Sequence, residues 1–208
     1  VTVPNDILRI VYDPNSTLNP IMTRAESIAQ DQARQQEQPQ TAAALQQASS
    51  PPPNMGTEFR FIPRADLEAE MTGNIGDTPV SVIPVNGGAN LGAYVLHVAP
   101  REPRTGEITS FYHAEVTELY YVLRGSGTVL LGGGLDNATW DDSNSNSIRR
   151  VRGPSVNGTM NNPQSHTYEA GDIIIVQAGV PHSFTYDIRE ETDIIRTVID
   201  PKGSLDLK

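Results

Sequence analysis

Beyond residue 58, apolar and polar residues alternate at a spacing of two over many short runs, the period of half-buried β-strands. Strands are predicted at Phe59–Ile62, Val80–Pro84, Ala93–Val98, Thr109–Glu115, Leu119–Leu123 and Gly127–Leu131. A helical turn or two is expected at Ala65–Met71. Four more strands follow, at His166–Tyr168, Asp172–Val176, His182–Asp187 and Asp193–Ile199. Residues 132–165, rich in Gly, Asn, Asp and Ser, read as a long loop or excursion with one strand near Ile148–Val151. Many short strands with turn signals roughly every 8 to 12 residues point to a β-sandwich or barrel.

The first 56 residues follow a different pattern. Ile7–Tyr12 reads as a short strand before the Asp13-Pro14-Asn15 turn. Ile21, Ala25, Ile28 and Ala29 recur at helical spacing within an Ala/Gln/Glu/Arg-rich stretch, so residues 21–36 are expected to be helical. Pro39 interrupts that helix, and a further turn or two is expected at Thr41–Gln47. Ser49-Ser-Pro-Pro-Pro-Asn54 is a stiff linker and marks the boundary between an arm, 1–56, and a β domain, 57–208. A polar helix with little apolar face gains order by docking, and a neighbouring subunit is the expected partner, giving a homo-oligomer.

Composition narrows the partners. The 208 residues accommodate one domain with an extension, and 17 glycines with 16 prolines favour turns and short strands over a helical bundle. A net charge of −10 argues against a nucleic-acid partner, which requires a basic field. The dense basic run Arg149-Arg150-Val-Arg152 lies close to Asp141 and Asp142 and reads as a solvated loop edge. With no cysteine, disulfide and thiolate chemistry are excluded. No segment approaches the roughly 18 consecutive apolar residues of a membrane helix, so no membrane partner is expected. An extracellular or periplasmic location is expected, and sequons at Asn15, Asn137 and Asn157 matter only in a glycosylating host.

Chemistry concentrates in two segments, His113-Ala-Glu-Val-Thr-Glu118-Leu-Tyr-Tyr-Val-Leu-Arg-Gly125 and Gly171-Asp-Ile-Ile-Ile-Val-Gln-Ala-Gly-Val-Pro-His182. Strand parity puts Tyr120 and Val122 on the face of Glu118, Phe111 on that of His113, and Phe184 and Tyr186 on that of His182. A barrel lined this way is apolar and aromatic around a few polar groups, as small-molecule sites usually are.

Here the chain resembles the cupin family. His113, Glu118 and Gly125 match the second His, the Glu and the Gly of its first motif; Gly171, Gly179 and His182 match its second at the family spacing. Gln177 stands where that motif has proline, and Tyr186 where it has asparagine. The local texture looks like that of secreted bacterial single-domain cupins, and the resemblance spans about residues 90–200. It implies an all-β, cupin-type double-stranded β-helix, a jelly-roll barrel carrying an N-terminal partly helical extension. Phe111 occupies the place of the first-motif histidine, so one of the usual four ligands is missing. The resemblance therefore implies a three-ligand set of His113, Glu118 and His182 for one divalent transition metal, with Fe well suited and Mn, Zn or Ni also compatible. The same residues also read as a metal-free pocket in which they bond to a ligand or to core partners.

Glu115, Tyr120 and His97 are the candidate catalytic groups, and His97 is also a candidate replacement for the lost ligand. Tyr120 and Tyr186 read equally as walls, Trp140 as a lid or an anchor under a loop, and His166 as exposed. Asp141–Asn146 is rich in oxygen ligands but lacks the glycine and terminal glutamate of an EF-hand. Three functions are compatible with these residues: a metal-dependent cupin enzyme acting on a small polar molecule (dioxygenase, isomerase, lyase or decarboxylase), a non-catalytic sugar- or metabolite-binding barrel, and an assembly-forming protein with a vestigial pocket.

Overall fold

The computed structural model describes Arg9 and residues 59–73, 76–85 and 88–208. The chain divides into two units, Val1–Phe59 and Arg60–Lys208. The expected arm strand, the 21–36 helix, the Pro-rich linker and the subunit contact assigned to the arm lie outside the described residues.

The second unit opens with α1 (Arg64–Gly73), started by Pro63, whose carbonyl accepts the Asp66 N–H at 3.0 Å. Asp66 in the first turn suits the positive end of the helix dipole. Phe59–Ile62, expected as a strand, is irregular, and Phe59 and Phe61 are exposed. Eleven strands follow: β1 (Gly76–Val85), β2 (Ala89–Val98), β3 (Thr109–His113), β4 (Thr117–Arg124), β5 (Ser126–Leu131), β6 (Gly134–Trp140), β7 (Ser155–Asn161), β8 (Gln164–Glu169), β9 (Ile173–Val176), β10 (His182–Ile188) and β11 (Thr192–Asp200).

They form two antiparallel sheets, ordered β1-β2-β11-β4-β9 and β6-β7-β3-β10-β5-β8. With β1, β6 and β7 set aside, β2-β11-β4-β9 faces β3-β10-β5-β8, and most successive strands alternate between sheets. That is the strand order of a jelly roll. The inner faces bury Leu96 and Val98 from β2, Tyr120 and Val122 from β4, Val129 from β5, Phe184 from β10 and Ile194 from β11 in one apolar cluster. A smaller cluster gathers Val82, Tyr94, Val116, Val198 and Leu205. Ile194 and Val198 of β11 belong to different clusters, and Arg196 lies between them in sequence on the same inward face, 1 % exposed.

The stretch 132–165 is not a loop. β6 and β7 pair antiparallel and carry one sheet past β3, and a π-type turn, Ile148–Arg152, replaces the strand expected near Ile148–Val151. β6 is an edge strand whose residues are nearly all exposed, with a register shift between Asp136 and Thr139 and Asn137 at φ 53°. Such an edge carries little apolar patterning, so its pairing is set by the neighbouring strand. Gly125 makes the tight β4–β5 turn at φ 89°; a Cβ there would lie 2.3 Å from Thr192 Oγ1 and 2.6 Å from the Glu191 carbonyl. Only glycine satisfies both the dihedral and the space.

Candidate metal centre

The inward parity of β3, β4 and β10 brings His113, Glu118 and His182 together, each no more than 2 % exposed. Their ligand atoms all lie within 4.8 Å of one another. His113 Nε2 is 3.1 Å from Glu118 Oε1 and His182 Nε2 is 3.3 Å from Oε2. The Gly179 N–H, from the turn before His182, donates to the His113 carbonyl at 2.7 Å and so pins the second motif to the first. Ser110 Oγ donates to the His182 carbonyl and holds β10 against β3.

Each imidazole is oriented through its other nitrogen. His182 Nδ1 donates to the Val180 carbonyl at 3.0 Å. His113 Nδ1 lies 2.9 Å from Ser155 Oγ, whose own proton goes to the Gly153 carbonyl, so Nδ1 is the donor. In the neutral rings these bonds leave a lone pair on both Nε2 atoms, and neither Nε2 has a hydrogen-bond donor in reach. Two lone pairs aimed at a carboxylate repel it unless a cation lies between them. Burial pushes the His182 imidazole down to about 4, against the raising pull of Glu118, so the ring is neutral at ordinary pH. Ligand atoms each about 2.1 Å from a shared ion stand roughly 3 Å apart, close to the spacings found here. The residues fit one divalent ion.

Glu118 has further partners that its own motif does not reveal. Arg196 Nη1 donates to Oε1 and also pairs with Asp77 Oδ2 at 3.2 Å. Arg196 Nη2 donates to the Val151 carbonyl at 2.8 Å, and the guanidinium stacks 4.3 Å from the Tyr94 ring centroid. The Tyr120 hydroxyl donates to Oε2 at 2.6 Å. Burial would raise the Glu118 carboxyl, but Arg196 above all holds it far below the ordinary range. Burial, then the Glu118 charge, keeps the Tyr120 hydroxyl protonated far above its usual range.

Of these groups His113, His182, Tyr120 and Arg196 line a cavity of about 790 Å³ between the sheets, and Glu118 is not among its lining residues. Leu96, Val98, Phe111, Tyr120 and Phe184 supply its apolar wall. The Phe111 ring lies 5.2 Å from the His113 ring, tilted, and 5.1 Å from that of His182, nearly edge-on, so at the position of the missing fourth ligand a hydrocarbon ring contacts both imidazoles.

Two of the expected catalytic residues are elsewhere. His97 sits between Leu96 and Val98 on β2, both of which line the cavity; by strand parity its side chain leaves on the other face, where Nδ1 meets Asp193 Oδ1 at 2.6 Å. It cannot stand in for the missing ligand. Glu115 follows the end of β3, where the alternation lapses, and accepts from Lys202 Nζ at 2.7 Å. Tyr120 is at the site, as a hydroxyl donor. Tyr186 and Trp140 do not line the cavity, and His166 is exposed on β8. Asp77, which the sequence did not single out, does line it; burial, opposed by Arg196, pushes its carboxyl up to about 6.

β2-β11-β4-β9 facing β3-β10-β5-β8, with both motifs converging on the interior, decides the architecture. The fold is a double-stranded β-helix, a jelly-roll barrel. No family model and no curated protein matches the chain. Among solved structures, a Klebsiella pneumoniae protein with a double-stranded β-helix domain is 16% identical, covering 71% of this chain and 94% of that one at a TM-score of 0.35. An oxalate oxidase is 16% identical over 74% of this chain and 66% of its own, at a TM-score of 0.38. Cobalt(II) HppE in complex with Tris buffer is 15% identical over 62% and 57%, at a TM-score of 0.34. The activities so named belong to those proteins.

Proposed function

We propose that the protein is a metal-dependent enzyme that acts on a small polar organic molecule inside the barrel, with His113, Glu118 and His182 holding one divalent transition metal. The observation that carries this reading is the pair of buried Nε2 lone pairs, each set by a hydrogen bond at Nδ1 and both turned on the same carboxylate. Outer partners of this kind are what orient metal-binding histidines. A bound ion would supply Lewis acidity toward a substrate oxygen.

The chain's own residues supply the remainder. Tyr120 and Arg196 fix both oxygens of Glu118, so the carboxylate cannot swing away from the imidazoles. The wall of Leu96, Val98, Phe111 and Phe184 limits water around the reacting atoms. Asp77 is the proton-moving group: its carboxyl titrates near neutrality, lines the cavity, and keeps Oδ1 without a hydrogen-bond partner among the described residues. It takes the role expected of Glu115 and His97.

A second reading, a ligand-binding barrel without turnover, rests on Arg196. Its guanidinium already compensates the charge of Glu118, which lessens the need for an ion there. Metal analysis separates the two. Protein purified without added metal should carry about one transition-metal ion per chain; His113→Ala and His182→Ala should each lose it, while His97→Ala keeps it. Retention of metal in both site variants refutes the assignment.

A further inference from the structure

We propose that the cavity recognises an oxyanion, the carboxylate or phosphate of a small organic anion, and that Arg150 and Arg152 grip it. The inference deepens the reading of the barrel as a ligand site and does not depend on the metal. In the whole chain Asp and Glu outnumber Lys and Arg by 25 to 15, yet the cavity inverts that balance. Arg104, Arg150, Arg152, Arg196 and Lys208 line it against one lining acid, Asp77. A cationic cleft with low-dielectric walls in an anionic protein focuses field on an anion and raises its local concentration.

The five cations differ in what they already hold. Arg196 is consumed by Glu118 and Asp77. Arg104 is engaged by the Thr185 hydroxyl and the Thr109 carbonyl, and Lys208 donates to the Pro79 carbonyl. Among the described residues Arg152 forms a single long ion pair, with Asp141 at 3.9 Å, and its guanidinium lies 4.0 Å over the Phe111 ring. Arg150 makes no ion pair among the described residues, while its carbonyl is tied down by the Tyr94 hydroxyl at 3.0 Å. Two under-used guanidinium groups therefore stand on one π-type turn beside the cavity.

Phe111 links them to the centre. One ring packs on both imidazoles and also carries Arg152, so the residue that replaces a fourth ligand seats an arginine next to the other three. A ligand whose anionic head meets Arg150 and Arg152 extends its remaining atoms toward His113 and His182. Guanidinium groups suit this task because their planar fork matches carboxylate and phosphate oxygens. The basic run was expected to be a solvated loop edge; Arg149 and Arg150 are indeed exposed, Arg149 being turned to Asp206 at 2.9 Å, but Arg150 also reaches the cavity wall and Arg152 is partly buried there.

The test is calorimetric titration at constant ionic strength with succinate, inorganic phosphate and neutral succinamide, alongside metal analysis of every protein. Succinate or phosphate should bind and succinamide should not, and the anion preferred distinguishes a carboxylate head from a phosphate. Arg150→Gln and Arg152→Gln should each weaken binding at least about ten-fold, the scale of one charge-assisted hydrogen bond. Arg149→Gln should stay within about two-fold of wild type by the same reasoning, and metal content should be unchanged in all three. Arg150 is exposed, so its variant remains informative if Arg152→Gln folds poorly. Failure of wild type to bind either anion overturns the inference, as does undiminished binding in Arg150→Gln or an equal loss in Arg149→Gln. Anion binding by a protein without metal keeps this inference and removes the metal reading; metal without anion binding does the reverse.

Discussion

Replacing Arg196 with methionine probes the arrangement most directly. The substitution keeps much of the side-chain volume and removes the guanidinium that pairs with both Glu118 and Asp77. Glu118 is 1 % exposed, so its charge has no access to water once the guanidinium is gone. Removing one partner of a buried ion pair costs about 3–5 kcal/mol, because the other charge is left uncompensated. Whole domains are stable by only about 5–15 kcal/mol, so the variant should fold with a thin margin. For a chain of this size the loss corresponds to a fall in Tm of roughly 6–20 °C. With a urea m-value of roughly 2 kcal/mol/M, the midpoint should drop by roughly 1.5–2.5 M.

The pH dependence gives the sharper test. Without Arg196, burial dominates Glu118 and its folded pKa rises above the unfolded value. A carboxyl shifted that way contributes stability at low pH and loses it as pH rises through the folded value. The deficit of Arg196→Met relative to wild type should therefore shrink as pH falls from 7 toward 5. Adding Glu118→Gln to Arg196→Met should recover about 1–3 kcal/mol, the coupling usual for residues in one network. Urea denaturation of EDTA-treated proteins at several pH values measures all of this. A deficit under about 1 kcal/mol that is the same at pH 5 and pH 7 would show that the guanidinium does not hold the Glu118 charge in place.

Two other predictions concern the site and the frame around it. In wild type without metal, His182 is held neutral by burial with its folded pKa near 4, below the ordinary value of 6.5, so the unfolded chain takes up the proton first. Stability from this group is complete above pH 6.5 and is lost as pH falls toward 4; His182→Gln should remove that component of the profile, and an unchanged profile would exclude His182 as its source. Gly125→Ala should cost more than about 2 kcal/mol, because φ 89° is strained for alanine and its Cβ would meet Thr192 and the Glu191 carbonyl. A Tm within 2 °C of wild type would show that this turn relaxes, since that shift corresponds to about 1 kcal/mol or less.

The strands of the barrel were legible wherever an inward face alternates with an outward one. β2, β4, β5, β10 and β11 were all anticipated within a few residues, as was the meeting of His113, Glu118 and His182, because each lies in or beside a strand whose parity sets its direction. β6 was missed because an exposed edge strand needs no apolar stripe; β7, whose Val156 and Met160 are buried among polar neighbours, lacks a clear alternation, and its pairing with β3 is a tertiary event. Arg196 was missed for another reason. β11 has apolar residues on both parities, Ile194 and Val198 on one and Ile195 and Ile199 on the other, so its sequence does not say which face turns inward.

By itself the sequence determined the fold class, the convergence of His113, Glu118 and His182, and a phenylalanine at position 111 in place of a further histidine, all properties of short local patterns. Tertiary structure alone decided what surrounds that set. Packing β11 beside β4 put Arg196 on Glu118, pairing β7 with β3 put Ser155 under His113, and the turn before β7 swung Arg150 and Arg152 to the cavity. Strand parity is written locally, at a period of two residues. Which charges share a buried volume depends on strands tens of residues apart, and only the closed barrel brings them together.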